Sequence, residues 1–240
     1  MSTDDTSLTF QELDELMREA EITARLAPIL GSWTNLKALL SAEAARLEEQ
    51  IVAIEEGIRA GEFSEGDPHQ MPSILQDDIY LRDWHDESAI LLRRSFVVSA
   101  CSFLEAALID ACRPSAEDEL EAYNTKVGSM KERVKTLLKR LFPDAPEGST
   151  IGVKRWGFLC DMVKVRNFIV HSNGVLGLEQ RRKTREYLKN VVLHQPGLAW
   201  RETAYDAELV MYDEYCDEVA SLLGYLAPLI YKTQGGGAYA

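Results

Sequence analysis

The chain has 240 residues, 46% of them hydrophobic, and a formal net charge of −13 at pH 7. This length suits one elaborated domain or two small domains with a real core, and the apolar content excludes a disordered chain. The acidic balance argues against a simple nucleic-acid-binding protein. No basic segment followed by an apolar segment opens the sequence, so we expect no signal peptide and a cytoplasmic location.

The N-terminal part is predicted to form two helices. Apolar side chains at helical spacing indicate the first over residues 9–30, and Pro28 with Gly31 indicates its end. Ser32 is the predicted N-cap of the second helix, which runs to about Arg59.

A loop at residues 61–72, rich in Gly, Pro and acidic residues, is the predicted boundary between two units. The first unit is an acidic helical extension over residues 1–72. The second is a helical domain over residues 73–240.

The next predicted helix runs from about Ser73 to Cys112 and is stopped by Pro114. Its second half is apolar nearly all round, yet it carries Glu105 and Asp110. A membrane span needs ~20 mostly apolar residues without charge, so we interpret this half as a buried core helix and expect no membrane association.

The remaining elements follow from the same signals. A helix over 153–172 ends at the C-terminal signal Asn173-Gly174. Further predicted elements are a helix over 116–141, a loop over 142–152, a short basic helix over 178–190, a hairpin or meander over 191–212, and a last helix from about Asp213 to Tyr231. The fold class is therefore mainly α: an antiparallel helical bundle with a small late β-hairpin and two extra N-terminal helices.

Charge is distributed unevenly along the chain. Residues 122–189 contain 15 Lys and Arg against 6 Asp and Glu, whereas the rest of the chain has a balance of −22. Charge runs are usually solvated helix faces. This basic block surrounds the segment RNFIVH at residues 166–171, and that position also indicates a local anion site.

Three polar residues interrupt the apolar helix 153–172. Asn167 and His171 are four residues apart and share a face, and Arg166 lies beside them. In one interpretation they are structural: His171 complements the helix dipole and Arg166 forms a salt bridge with Glu105. In the other, Arg166 holds a phosphate through its planar fork and His171 transfers a proton, chemistry that suits RNA cleavage by its own 2′-hydroxyl.

The R-N-x-x-x-H pattern at Arg166, Asn167 and His171 resembles that of the HEPN superfamily, and the apolar segment 95–110 resembles the family's earlier core helix. The resemblance covers about residues 73–232. It implies a homodimeric bundle in which two motifs face each other across a cleft, and active members are similar to metal-independent endoribonucleases of toxin–antitoxin or anti-phage systems.

By this resemblance His171 is the acid or base, Arg166 holds the phosphate, Asn167 orients the site and Glu105 supports it. The RNA-binding residues predicted from the basic flanks are Lys154, Arg155, Arg181, Arg182 and Lys183. The expected partners are an RNA substrate, a second copy of the chain, and an antitoxin or nucleotidyltransferase.

Two other interpretations stay open: a non-catalytic HEPN module that binds a partner protein or a nucleotide, and a helical structural protein in which RNFIVH is a core and cap segment. The sequence has no GxGxxG, GxxxxGK[ST], GxSxG or HExxH motif. The four cysteines lack zinc-site spacing and are predicted to be buried thiols. The carboxylates of 77–87 are interpreted as a solvated helix face, so neither a metal nor a cofactor is predicted.

Overall fold

The computed structural model describes residues 10–60, 70–112, 151–177, 182–202 and 206–235, together with the single positions 134, 136, 138 and 139. Within these residues the chain forms five helices and three strands. The helices are α1 (Phe10–Ala60), α2 (Gln70–Cys112), α3 (Val153–Ser172), α4 (Arg182–His194) and α5 (Asp213–Gly235), and the strands are β1 (Val175–Gly177), β2 (Leu198–Glu202) and β3 (Asp206–Met211). The predicted mainly α class with a small late β-element is confirmed.

The N-terminal part forms one continuous helix, so the prediction of two helices is wrong. Pro28 lies inside α1 and removes one backbone donor, but a buried position recurs every seven residues through this point. These positions are Leu26, Trp33, Leu40 and Leu47. Ser32 does not cap a new helix; its hydroxyl donates to the Ile29 carbonyl at 2.7 Å. Tertiary packing therefore overrides the local stop signals.

Trp33 is the residue that fixes α1 to the core. It is 3% exposed, and its ring stacks on Phe96 of α2 with 4.9 Å between ring centroids. Its indole nitrogen donates to the Asp217 carboxylate of α5 at 2.9 Å.

The predicted boundary between residues 72 and 73 falls within α2, and the division of the chain into two domains stays a prediction.

The apolar half of α2 is buried in the core, as the sequence predicts. Its inward residues are Val97, Ala100, Cys101, Leu104 and Leu108, none more than 1% exposed. They share one core with α3, α5 and the sheet. In the part of the chain that the structure describes, no helix is both long enough and apolar enough to cross a membrane.

The three strands form an antiparallel sheet in the order β1-β3-β2. Strands β2 and β3 confirm the predicted hairpin, with Leu198 opposite Met211. Strand β1 follows α3 directly and pairs Val175 with Glu208, which the sequence did not predict. Residues 191–194 belong to α4 rather than to the hairpin.

Most of the predicted helix 116–141 and loop 142–152 lies outside the described residues. Val134 and Leu138 are helical and buried. Ile151 and Gly152 immediately precede α3, and Ile151 is also buried.

Candidate functional site

Helix α3 carries the motif and ends as predicted. Asn173 adopts the left-handed conformation with φ 53° and ψ 29°, and Gly174 follows with φ 73°. This is the αL geometry of a helix C-cap, which Asn and Gly tolerate best. The Ser172 hydroxyl donates to the Phe168 carbonyl at 2.6 Å, so a side chain satisfies one of the carbonyl groups in the last turn of α3.

Arg166 lies half-buried on α3 and has no carboxylate partner among the described residues. Its Nη1 donates to Asn167 Oδ1 at 3.1 Å. Its Nε is buried and, among the described residues, meets no hydrogen-bond acceptor. No described carboxylate is within ion-pairing distance of this guanidinium, so the predicted salt bridge with Glu105 is not formed.

Glu105 and Arg166 nevertheless face the same buried thiol. Burial raises the pKa of Cys101 to about 12, while the positive charge of Arg166 lowers it and the negative charge of Glu105 raises it. The two side chains are thus near enough to act on one group between α2 and α3. Glu105 itself is half-buried.

His171 is exposed on the last turn of α3. It lies about 6 Å from Asn167 and about 8 Å from Arg166 along the helix axis, given a rise of about 1.5 Å per residue. The adjacent Val170 is 47% exposed. The motif therefore combines an anchored arginine and amide with an accessible imidazole at a helix end.

The predicted RNA-binding residues do not all lie beside the motif. Lys154 and Arg155 are exposed in the first turn of α3, and the helix rise places them about 17 Å along the axis from Arg166. Arg155 rests over the Tyr225 ring with 3.9 Å between Cζ and the ring centroid. Arg181 lies outside the described residues. Arg182 and Lys183 begin α4, and their side chains are likewise outside the description.

Arg94 is a buried residue that the sequence did not single out. It is 3% exposed and donates to the Asn173 carbonyl at 3.0 Å, to Glu208 Oε1 at 3.0 Å and to the Leu209 carbonyl. Burial lowers the pKa of Arg94, and the charge of Glu208 opposes that shift. This arginine joins α2 to the end of α3 and to β3.

A cavity of about 700 Å³ opens at the other end of α3, between that helix, the end of α4 and one side of α5. Lys154, Arg155 and His194 are among the residues that line it. The sequence pattern placed His194 in a hairpin and gave it no role, because its position beside α3 depends on tertiary contacts.

The described residues contain no group of three His, Cys, Asp or Glu side chains that could hold a metal ion. Cys101 and Cys216 are buried free thiols, as predicted, and Cys160 is half-buried. Burial raises the pKa of Cys216, which keeps this thiol neutral as well.

Comparison with known proteins gives no further assignment: no family model, no curated protein and no solved structure matches the chain.

Proposed function

We propose that the chain is a metal-independent endoribonuclease of HEPN type, a cytoplasmic toxin or defence protein whose site is built on Arg166, Asn167 and His171. The observation that carries this proposal is the half-buried guanidinium of Arg166, for which the described part of the chain supplies no carboxylate partner. A partly buried charge without a counter-ion is costly, so an arginine kept in that state favours an anionic ligand. A phosphate fits because its oxygens match the fork of the guanidinium.

Three observations at the end of α3 support the roles proposed for these residues. Asn167 accepts from Arg166 Nη1 and so orients the guanidinium. The exposed imidazole of His171, about 8 Å farther along the axis, is accessible to the hydroxyl or the leaving oxygen of the same phosphodiester. Attack of the RNA 2′-oxygen on phosphorus then expels the 5′-oxygen, which takes up a proton.

Such a reaction needs one group to remove the proton of the 2′-hydroxyl and another to protonate the 5′-oxygen. A second copy of the chain that brings its own α3 end to the cleft supplies the second histidine. The proposal therefore includes a homodimer in which both motifs share one RNA phosphate.

The test is cleavage of total cellular RNA by purified full-length protein in excess EDTA. Wild-type protein should give discrete fragments with 5′-hydroxyl and 2′,3′-cyclic phosphate ends. Replacing the exposed His171 with Ala should lower the rate about 10²- to 10⁴-fold without changing the fold, because only the acid–base group is lost. Arg166→Lys should also lower it, because an ammonium group cannot reproduce the planar fork.

Arg46→Ala is the matched control, since Arg46 is an exposed arginine on α1 that pairs with Glu43 of its own helix and, in the described part of the chain, with no other carboxylate. Its activity should equal that of wild type. Equal cleavage by wild type and His171→Ala, or a requirement for a divalent metal, would contradict the proposal.

The surface of α1 favours a second function, a non-catalytic module that binds a basic partner such as an antitoxin or a nucleotidyltransferase. Leu39 and Val52 are 64% and 44% exposed on this helix, whose exposed side chains also include Glu48 and Glu49. Exposed apolar side chains on a helix of net negative charge favour a protein partner with a basic surface. Folded, dimeric wild-type protein that never cleaves RNA would favour this function.

A further inference from the structure

The cavity at the start of α3 has the size of a small-molecule site. Its volume of about 700 Å³ falls within the ~300–1,000 Å³ that ligand pockets occupy. The lining residues include the apolar Phe158, Pro196 and Leu222 and the exposed Lys154, Arg155 and His194. Because the second group is exposed, we call it the rim of the cavity.

The first turns of α3, which border this cavity, contain residues that disfavour helix formation. Gly152 occupies the N-cap without a side chain to accept from the first-turn N–H groups, and that turn contains no acidic residue. It contains Lys154 and Arg155, which the positive end of the helix dipole disfavours. Gly157, with open space around its Cα, costs about 1 kcal/mol relative to Ala inside a helix. Local choices that oppose folding together at one place indicate a functional constraint.

The basic side chains of the rim and the imidazole of His194 are available to a ligand. Lys154 makes no hydrogen bond or ion pair with any described residue. Arg155 is held over the Tyr225 ring, which positions its guanidinium without neutralising it. His194 Nδ1 lies 2.7 Å from the Asn190 carbonyl. A carbonyl only accepts, so Nδ1 carries the proton and Nε2 stays available.

One of the two carboxylates at the cavity is already compensated. Asp161 accepts from Lys164 at 2.8 Å and from Gln195 at 2.8 Å. Glu218 is exposed on the rim and can accept from a ligand hydroxyl. The remaining balance of the rim is positive, because Lys154, Arg155 and the amide groups of the helix start face one exposed carboxylate.

We propose that this cavity binds a small organic phosphate monoester. The phosphate contacts Lys154 and the first-turn amide groups of α3, and the apolar or ring-shaped body of the ligand packs against Phe158 and Leu222. The phosphate contact at Lys154 lies about 18 Å from Arg166 along the α3 axis, although the cavity extends along α3 as far as Asp161. It does not depend on the proposed nuclease activity.

The test is calorimetric titration of the full-length protein with phenyl phosphate, inorganic phosphate and phenol, in the absence of RNA. We expect saturable binding of one phenyl phosphate, inorganic phosphate at least about tenfold weaker, and no detectable phenol binding. Lys154→Gln should weaken phenyl phosphate binding about fivefold to tenfold, because one charge-assisted contact is lost.

A second variant tests the location. Gly157→Leu places a side chain into open space at the cavity, so it should abolish binding while maintaining or raising the melting temperature. Gly31→Leu is the matched control, since Gly31 is also a helix-interior glycine with open space but does not line the cavity. It should bind phenyl phosphate as wild type does.

Three results would overturn the inference: no saturable binding of phenyl phosphate to wild type at millimolar concentration, equal affinity for phenyl and inorganic phosphate, or full binding by Gly157→Leu. Loss of RNA cleavage in Lys154→Gln without any phenyl phosphate binding by wild type would instead assign Lys154 to the RNA path. Because the titration contains no RNA, a failure of the nuclease proposal leaves its result unaffected.

Discussion

Arg94 lies directly against the α-carbon of Gly174, so that a β-carbon at this position would stand 2.5 Å from the Arg94 Cζ atom. Only a residue without a side chain allows this approach. The same glycine has φ 73°, a conformation that other residues rarely adopt. Close packing and backbone conformation thus impose the same residue at the end of α3.

Replacing Gly174 with Ala should therefore lower the free energy of unfolding by about 2–4 kcal/mol, from backbone strain and from displacement of the guanidinium. Urea denaturation followed by circular dichroism measures this loss. Gly177→Ala is the control, because Gly177 has open space around it, and it should change the free energy by less than about 1 kcal/mol. Equal loss in the two variants would contradict the steric explanation.

Arg94→Met should destabilise the fold by about 3–5 kcal/mol, because it leaves the carboxylate of Glu208 without its buried partner and two carbonyls without a donor. Arg201 binds the other oxygen of Glu208 but is 46% exposed. Arg201→Met should therefore cost no more than about 1 kcal/mol. Thermal unfolding of both variants tests the difference, which disappears if Arg94 merely fills space.

The contact between α1 and α5 should weaken in acid. Burial raises the pKa of Asp217, whereas the hydrogen bonds from Lys37 and Trp33 lower it. The lowering is the larger effect, so the pKa lies below its ordinary value of 3.8. Because folding favours the ionised carboxylate, the stabilisation is complete above the unfolded pKa and is lost as pH falls through the folded pKa.

Asp217→Asn should thus lower the stability by less than about 1 kcal/mol at neutral pH, since the pair with Lys37 is nearly half-exposed. The difference in melting temperature between wild type and variant should shrink below pH 3.8. A difference that stays constant from neutral pH into strong acid would show that the ion pair does not carry the contact.

Cys101 should resist alkylation in the folded protein at mildly alkaline pH. Burial raises its pKa from 9.0 to about 12, so folding holds the thiol neutral in a pH range where the unfolded chain ionises. The resulting stabilisation is complete below pH 9.0 and is lost as pH rises towards about 12. Mass spectrometry after iodoacetamide treatment should find Cys101 modified only after urea is added. Rapid modification in native conditions would contradict its burial.

Local signals in the sequence predicted α3, its bounds and its cap, because an apolar helical period followed by Asn-Gly is a short-range pattern. They failed at Pro28 and Gly31, where the packing of Trp33 against residues of α2 and α5 outweighs the stop signal. They also failed at residues 191–194. The β-branched side chains there suggested a strand, but the segment continues α4, whose inward face buries Leu188 and Val191.

For the candidate site, the sequence predicted only the features that lie within α3. Arg166 and Asn167 are neighbours in sequence, and their hydrogen bond follows from that. Whether a carboxylate of α2 pairs with Arg166 depends on how α2 packs on α3, which no short-range pattern encodes; within the described ranges none does. Arg94 is a stronger case, since its acceptors lie 79 to 115 residues away along the chain.

Helix ends ordinarily fray, yet the end of α3 is tied to two other elements. The carbonyl of Asn173 accepts from Arg94, and the carbonyl of Gly174 accepts from the Leu209 amide at 2.9 Å. The backbone beneath His171 therefore has little freedom, while its imidazole rotates about two side-chain bonds in solvent. Most of the entropy lost in positioning the His171 imidazole has thus been lost during folding, and a ligand that met it at this helix end would have to order the side-chain rotations.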